Sequence, residues 1–593
     1  MTHESSHFSV LDGLNGEQRN AVRSGGNLTL VNACAGSGKT ATATAKVSGW
    51  VKDGVEPDRI LMLTFTRKAA GEMKARIAKR LGVDSCPVSG GTYHATALRM
   101  MRDNPLDFGL EGNFGILDDD AAGKLWKKAL RKTGGDPKEA GRAAGAYGLA
   151  VNLLQDPEQA LAKTLRVSAP GAAGEFVRGK EENRLLDFDD ILMRWRDALS
   201  AGRGGVGRWS HVMVDEFQDN SELQYDILKR LGAKELFVVG DPNQCIYSFR
   251  GSAPKLMARF SGEHPECKVH TLALNYRSGQ SVLDVANDSL LGGDRPVTLK
   301  AAKGDRGYVH KYAFGDHSQE ADFIQRGVLW RLKAGTPASQ IAVLFRSGHQ
   351  SSHIEMALRR GRIPYRKYGG ISITEAADVK DFLAILKVWH NPLDRVSRLR
   401  VATLFPGVGE KGAEKAIEKG EPRWPVKAQE AGLWVARADA AGWPEGVNIL
   451  ARAMAPLLES NYPDDHEERA ERVEALADTA REFSGLADFL DHYATGDENG
   501  EKPHPEDCIT LSTIHSSKGL EWDDVFLTGA GGSQIPSRKA EENGQTEEER
   551  RLLYVAITRA RKFLSISYPE FTPRSGWQTP TPFLPPEDWK RGG

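Results

Sequence analysis

Short apolar runs recur along the chain, each closed by a polar or glycine-containing turn. NLTLVNA (27–33) and RILMLTFT (59–66) are continuous rather than alternating in hydrophobicity. That pattern predicts strands covered on both faces. Each is followed by a helix-favouring stretch, ATATAKVSGWVKDG and RKAAGEMKARIAKRLG. Buried strands alternating with helices of about 10 to 15 residues predict a parallel sheet. HVMVDEF (211–217) and ELFVVGD (235–241) resume the pattern, and the Ala- and Lys-rich segment from about 96 to 191 that precedes them reads as a helical insertion. A second α/β region follows, with strand-like IAVLFRS (341–347), ITLSTIH (509–515) and DVFLTGA (524–530), again interrupted by a helical stretch. The predicted fold class is α/β: two parallel-sheet domains, each carrying a mostly helical insertion. The first domain is assigned to 1–95 and 192–278, with its insert at 96–191. The second is assigned to 279–395 and 505–593, with its insert at 396–504. The acid-rich end of that insert reads as a solvated face, and GDENGEKPHPED (496–507) as a linker.

Composition narrows the class. Hydrophobic residues make up 40% and charged residues 27% of 593, which excludes a disordered or fibrous chain. With 79 Lys and Arg against 80 Asp and Glu, the net charge of −1 excludes a globally basic coat but leaves room for a local basic groove. No apolar run reaches bilayer length, and the polar start MTHESSHFSVLDGLNGEQ shows no secretory signal. The five cysteines, Cys34, Cys86, Cys245, Cys267 and Cys508, form no CxxC pair. A disulfide framework or zinc site is not expected, and a cytoplasmic location is.

Ala33-Cys34-Ala35-Gly36-Ser37-Gly38-Lys39-Thr40 follows a predicted strand and opens a predicted helix. Gly36 and Gly38 would let the backbone turn its N–H groups toward phosphate oxygens, and the helix N-terminus adds partial positive charge. Lys39 would reach the β- and γ-phosphates, and the Thr40 hydroxyl would ligate Mg²⁺. The general phosphate-loop pattern has glycine where this chain has Ala33. Asp215 and Glu216 close a predicted strand of the same sheet. Asp215 would hold Mg²⁺, and Glu216 would polarise the attacking water. ATP and Mg²⁺ are the expected cofactors.

The motifs that follow narrow the reading further. Asp215-Glu216-Phe217-Gln218-Asp219 is followed by Val239-Gly240-Asp241-Pro242-Asn243-Gln244-Cys245-Ile246-Tyr247-Ser248-Phe249-Arg250-Gly251, and then by Leu274-Asn275-Tyr276-Arg277-Ser278. Later come Thr513-Ile514-His515-Ser516-Ser517-Lys518-Gly519-Leu520-Glu521-Trp522 and Glu549-Arg550-Arg551-Leu552-Leu553-Tyr554-Val555-Ala556-Ile557-Thr558-Arg559-Ala560. In this order the series resembles superfamily 1 helicases of the UvrD/Rep/PcrA type. Leu14-Asn15-Gly16-Glu17-Gln18 resembles their adenine-reading motif. Thr64-Phe65-Thr66, Gly91-Thr92-Tyr93-His94 and Asp187-Phe188-Asp189-Asp190 resemble further short motifs.

The resemblance implies two RecA-like domains and a set of roles. Gln18 would bond the adenine edge and Tyr276 would stack on the ring. Gln244 would report the γ-phosphate, and Glu521 would lie near the ribose. Arg277 and Arg559 would stabilise the transferring phosphoryl group, Arg559 from the second α/β domain. Phe65, Tyr93, Tyr247, Phe249 and Arg250 would grip single-stranded DNA by stacking and charge, with His94 and His515 near the strand. The implied activity is ATP-dependent 3′-to-5′ DNA helicase or translocase action on single strands and tailed duplexes, in repair, replication or recombination. The alternative is a translocase with little intrinsic unwinding that works within a repair or defence complex. Expected partners are single-stranded DNA, single–double strand junctions and repair or replication proteins, with the chain a monomer or weak dimer and no membrane involved. Phe405-Pro406-Gly407-Val408-Gly409 resembles the start of a helix-hairpin-helix segment, and the second insert is short for such enzymes.

Overall fold

The structure, a computed structural model, describes residues 10–110, 114–117, 119–252, 255–293, 298–369, 376–392, 394–417, 424–463, 465–494, 505–572 and 575–592. The chain forms two compact units, one of 1–305 with 545–555 and one of 306–544 with 556–593.

The first unit is built on a six-stranded sheet. Its strands are β1 (Leu28–Ala33), β2 (Ile60–Thr64), β3 (Ser89–Thr92), β4 (His211–Val214), β5 (Glu235–Gly240) and β6 (Lys268–Leu272), in the order β3-β2-β4-β5-β1-β6. Every pairing is parallel. The five residues of β2 are all buried, as a strand covered by helices on both faces must be. Helix Arg67–Leu81 starts on Thr66, whose hydroxyl accepts from the Ala69 N–H, and stops at Gly82, which takes the left-handed conformation (φ 71°). Those are standard start and stop chemistries.

The insertion between β3 and β4 is helical. Its core stacks Trp126 on Phe176 at 4.2 Å with Tyr147 edge-on. Lys180, almost fully buried, sits over the Phe176 ring and pairs with Asp187 and Asp190. Asp187 and Asp190 also form the reciprocal cap that starts helix Phe188–Ser200. The 187–190 motif thus anchors the insert to the helix that returns to the sheet. Contacts divide the chain after Asp305 rather than at 278, because helix Gln280–Ser289 stays with the first unit: Arg550 bonds the Ser289 carbonyl, and Leu274–Asn275 pairs with Lys300–Ala301.

The second unit holds a seven-stranded parallel sheet. Its strands are β7 (Tyr308–Phe314), β8 (Ile341–Phe345), β9 (Tyr365–Tyr368), β10 (Ile509–Thr513), β11 (Trp522–Leu527), β12 (Ala560–Pro569) and β13 (Lys590–Arg591), in the order β9-β10-β8-β11-β12-β7-β13. Its helical layer has a separate apolar core that takes in the chain from Ala376 rather than from 396, with Met356 packed against it, because helix Ala377–His390 packs on Val447, Leu450 and Leu476. Asp378, fully buried, accepts from Arg469 and Arg472 of helix His466–Asp478. Phe405-Pro406-Gly407 forms the turn between helices Arg395–Thr403 and Glu410–Ile417, with Gly407 at φ 76°. The linker 496–507 lies largely outside the described residues. No helix among the described residues is long and apolar enough to cross a membrane.

Candidate functional site

In the first unit the loop 34–38 joins β1 to helix Lys39–Lys52. Gly36 and Gly38 both take positive φ, 65° and 84°. A Cβ on Gly36 would lie 2.6 Å from the Asn275 amide nitrogen, and one on Gly38 would overlap the Gln18 amide. Only glycine fits either place. Asn275 draws the loop together: its amide donates to the Ala35 carbonyl at 2.7 Å and its oxygen accepts from the Arg277 and Ser278 N–H groups.

Gln18, on helix Gly16–Val22, donates to the Ser37 carbonyl at 2.8 Å, while its oxygen accepts from Asn15 N–H. Tyr276 donates its N–H to Gly36, and its hydroxyl accepts from Asn15. Its ring stays partly exposed. Both sequence-assigned adenine residues are therefore tied to the loop itself.

Lys39 faces the carboxylate of Glu216. Its ammonium lies 3.7 Å from Glu216 and 3.3 Å from the Gln244 amide oxygen. Asp215 is buried, and burial together with the charge of Glu216 pushes its carboxyl up to about 7. Its Oδ1 has no hydrogen-bond partner among the described residues. A buried, unpartnered carboxylate oxygen beside a phosphate loop is what a divalent cation would complete. The residues present therefore fit Mg²⁺ held by Asp215 and Thr40. Glu216 sits at φ 53°, an uncommon conformation for a residue with a side chain. Gln218 holds it there, donating to the Glu216 carboxylate at 2.6 Å and accepting from Asp241 N–H. Asp241 is buried and its carboxyl is raised by that burial; it accepts from Gln244 and from Asn243 N–H. Cys34, buried and near Asp241, is pushed up to about 12 and stays a thiol.

Tyr554 lies within the 549–560 motif, and the sequence assigns it no role. Its hydroxyl accepts from Ala35 N–H and donates to Asp241, both at 3.4 Å. Glu548 and Arg551 lie on the same face of helix Thr546–Ile557, six and three residues before it. Glu548 accepts from the Ser248 backbone and hydroxyl, and Arg551 donates to the Cys245 carbonyl at 2.8 Å. One helix face thus grips both the phosphate loop and the 242–251 loop. Tyr554→Phe keeps the ring's packing and removes both hydroxyl bonds. ATPase kcat is expected to fall about tenfold with an unchanged melting temperature; wild-type turnover would show that the hydroxyl positions nothing.

The 242–251 loop carries the aromatics assigned to strand grip. Phe65, just after β2, stacks on Tyr247 at 5.2 Å and 16°, and Phe249 meets Tyr247 edge-on at 6.0 Å. Phe249 is 55% exposed. The side chain of Arg250 lies outside the described residues. Tyr93 is corrected: it is buried against Trp195, and its hydroxyl accepts from Asn220. It packs the core because it opens an amphipathic helix, Tyr93–Asp103, on the side facing Trp195. His94 lies edge-on to the exposed ring of Phe188, and burial lowers it to about 4, so it is neutral at pH 7.

In the second unit Arg559 is 1% exposed and donates to the Leu520 carbonyl and the Thr558 hydroxyl. Glu521 pairs with Arg561 at 2.6 Å, a partner the sequence reading did not assign. His515 lies in the turn after β10.

Residues 14–265 match the family described as UvrD/REP helicase N-terminal domain, and 270–423 with 438–570 match UvrD-like helicase C-terminal domain. The chain is 31% identical to ATP-dependent DNA helicase UvrD1 of Mycobacterium tuberculosis, over 98% of this chain and 86% of that protein. It is 32% identical to DNA helicase II of Haemophilus influenzae, over 95% of this chain and 84% of that protein. To ATP-dependent DNA helicase PcrA of Staphylococcus epidermidis it is 29% identical, over 94% and 84%.

Proposed function

The chain belongs to the UvrD-type family of ATP-dependent DNA helicases, and on that premise we propose that it hydrolyses Mg²⁺-ATP to move 3′ to 5′ along single-stranded DNA and to open tailed duplexes in DNA repair, replication or recombination. The observation that carries the reading is the helix face of Glu548, Arg551 and Tyr554. It ties the loop around the phosphate site to the loop that presents Phe249. A change at the γ-phosphate end of Gln244 and Asp241 is then mechanically joined to an exposed stacking ring.

Lys39, Arg277 and Arg559 would supply positive charge to the transferring phosphoryl group, and Glu216, held by Gln218, would orient the attacking water. Gln18 and Tyr276 would hold the adenine, and Gln244 would report the γ-phosphate. Bound Mg²⁺ would neutralise phosphate charge next to Asp215 and Thr40. Single–double strand junctions and repair or replication proteins are the proposed partners.

The deciding experiment is steady-state ATPase with and without a single-stranded oligonucleotide at fixed salt, followed by unwinding of duplexes carrying a 3′ or a 5′ tail. Strong stimulation and 3′-tail preference are expected; preference for the 5′ tail would overturn the direction. Phe249→Ala is expected to weaken strand binding by about 1–3 kcal/mol and to slow translocation more than hydrolysis. Translocation at the wild-type rate would remove Phe249 from the strand path.

A further inference from the structure

The second unit carries a cavity that none of these roles uses. It is half open, about 600 Å³ in volume, and lies between β7, β12 and helix His317–Lys333. Tyr308 and Tyr312 project into it from one face of β7 at alternate positions, Phe563 from β12, and Trp330 with Arg326 and Arg331 from the helix. A volume of this size takes one drug-sized ligand.

Two rings at its mouth are open to solvent: Tyr308 is 69% and Trp330 60% exposed. Solvent-facing tryptophan and tyrosine beside an apolar cavity mark a surface with an occupant. The cavity wall is built, not incidental. Arg331 is held by two hydrogen bonds, at 2.5 and 2.7 Å, to the fully buried Asp524. That pair fixes its guanidinium over the Trp330 and Phe563 rings, at 5.2 and 4.9 Å.

Charge selects the occupant's chemistry. Both ionisable side chains of fixed charge that line the cavity are arginines, and no carboxylate lines it. Lys590 on β13 adds to the positive field at His310, which also lines the cavity. Aromatic faces interleaved with guanidinium groups fit a base with its phosphate. The lining lies toward the start of β7, whereas the turn carrying His515 follows the end of β10.

We propose that this cavity is a second single-strand contact, in which an unpaired nucleotide of DNA stacks on Trp330 and Tyr308 while Arg326 faces its phosphate. The proposal rests on the helicase reading for the identity of the strand.

The test uses the full chain and an oligonucleotide of about 30 residues, long enough to reach beyond one strand site, carrying 5-iodo-deoxyuridine. After irradiation, cross-linked peptides containing Tyr308 or Trp330 are expected. The double variant Tyr308→Ala/Trp330→Ala should lose those cross-links and bind the oligonucleotide about tenfold more weakly. Its DNA-free ATPase and melting temperature should be unchanged, because both rings are exposed. Tyr308→Phe/Trp330→Phe should restore binding. Cross-links confined to the 242–251 loop, with unaltered affinity in the alanine variant, overturn the second contact while leaving the helicase reading intact. Absence of any cross-link or DNA binding sinks both. Retention of a glutamate–tyrosine copolymer at this surface, without oligonucleotide cross-links, would instead give the cavity to a protein partner.

Discussion

Lys39→Ala is expected to reduce ATP turnover by a hundredfold to a thousandfold or more, the range seen when a single preorganised donor to transition-state charge is lost. Lys39 opens its helix and brings an ammonium within reach of Glu216 and Gln244. Asp215, Glu216 and Asp241 gather around it, and its charge lowers both Asp215 and Asp241. Steady-state phosphate release checks the prediction. A loss smaller than about tenfold would mean that the phosphates lie elsewhere. Losing the ammonium also leaves the carboxylates less compensated, so the nucleotide-free melting temperature should drop at pH 8 and drop less at pH 6, where Asp215 is largely protonated.

Asp215→Asn is expected to abolish hydrolysis and yet stabilise the nucleotide-free protein. Burial and the Glu216 charge push the folded carboxyl up to about 7, well above the usual carboxylate range. Above pH 7 the group is ionised in both folded and unfolded chains, and the folded chain carries the full cost of a buried charge. Below pH 7 the folded chain takes up the proton first. Wild-type stability from this group therefore rises as pH falls toward about 4, by the linkage of proton uptake to folding. Asparagine carries no charge to bury. The variant's advantage in melting temperature should be largest at pH 8, a few degrees, shrink as pH falls below 7, and vanish only below about pH 4. Thermal melts without nucleotide or divalent cation read it directly. A variant less stable than wild type at pH 8 would show that the Asp215 charge is already compensated in the folded protein.

Much of the candidate phosphate site was legible because its sequence pattern is local. A strand, a glycine loop, a lysine and a helix lie within one run of residues, and the structure places the Gly36 and Gly38 backbones where only glycine fits. The continuous apolar runs marked the strands for a similar reason: a strand buried on both faces leaves no polar alternation to confuse its reading. Tyr93 misled, since an aromatic residue after a strand end reads the same whether it faces a ligand or the core. Its burial against Trp195 depends on a helix that starts almost a hundred residues later in the chain.

The chain by itself therefore determined the sheet type, the glycine-containing loop after β1 and the order of the motifs, all carried by short-range spacing and residue chemistry. Tertiary structure decided what those motifs touch. It tied Gln18 to Ser37 and Asn275 to Ala35, held Glu216 in place through Gln218, and put Glu548, Arg551 and Tyr554 against two loops that lie 300 to 519 residues away. It also made the Trp330–Tyr308 cavity, from a strand and a helix whose own periodicities show only ordinary amphipathic elements. Such contacts join residues far apart in sequence, and no local pattern encodes which distant surface a side chain meets once the sheet has closed around its core.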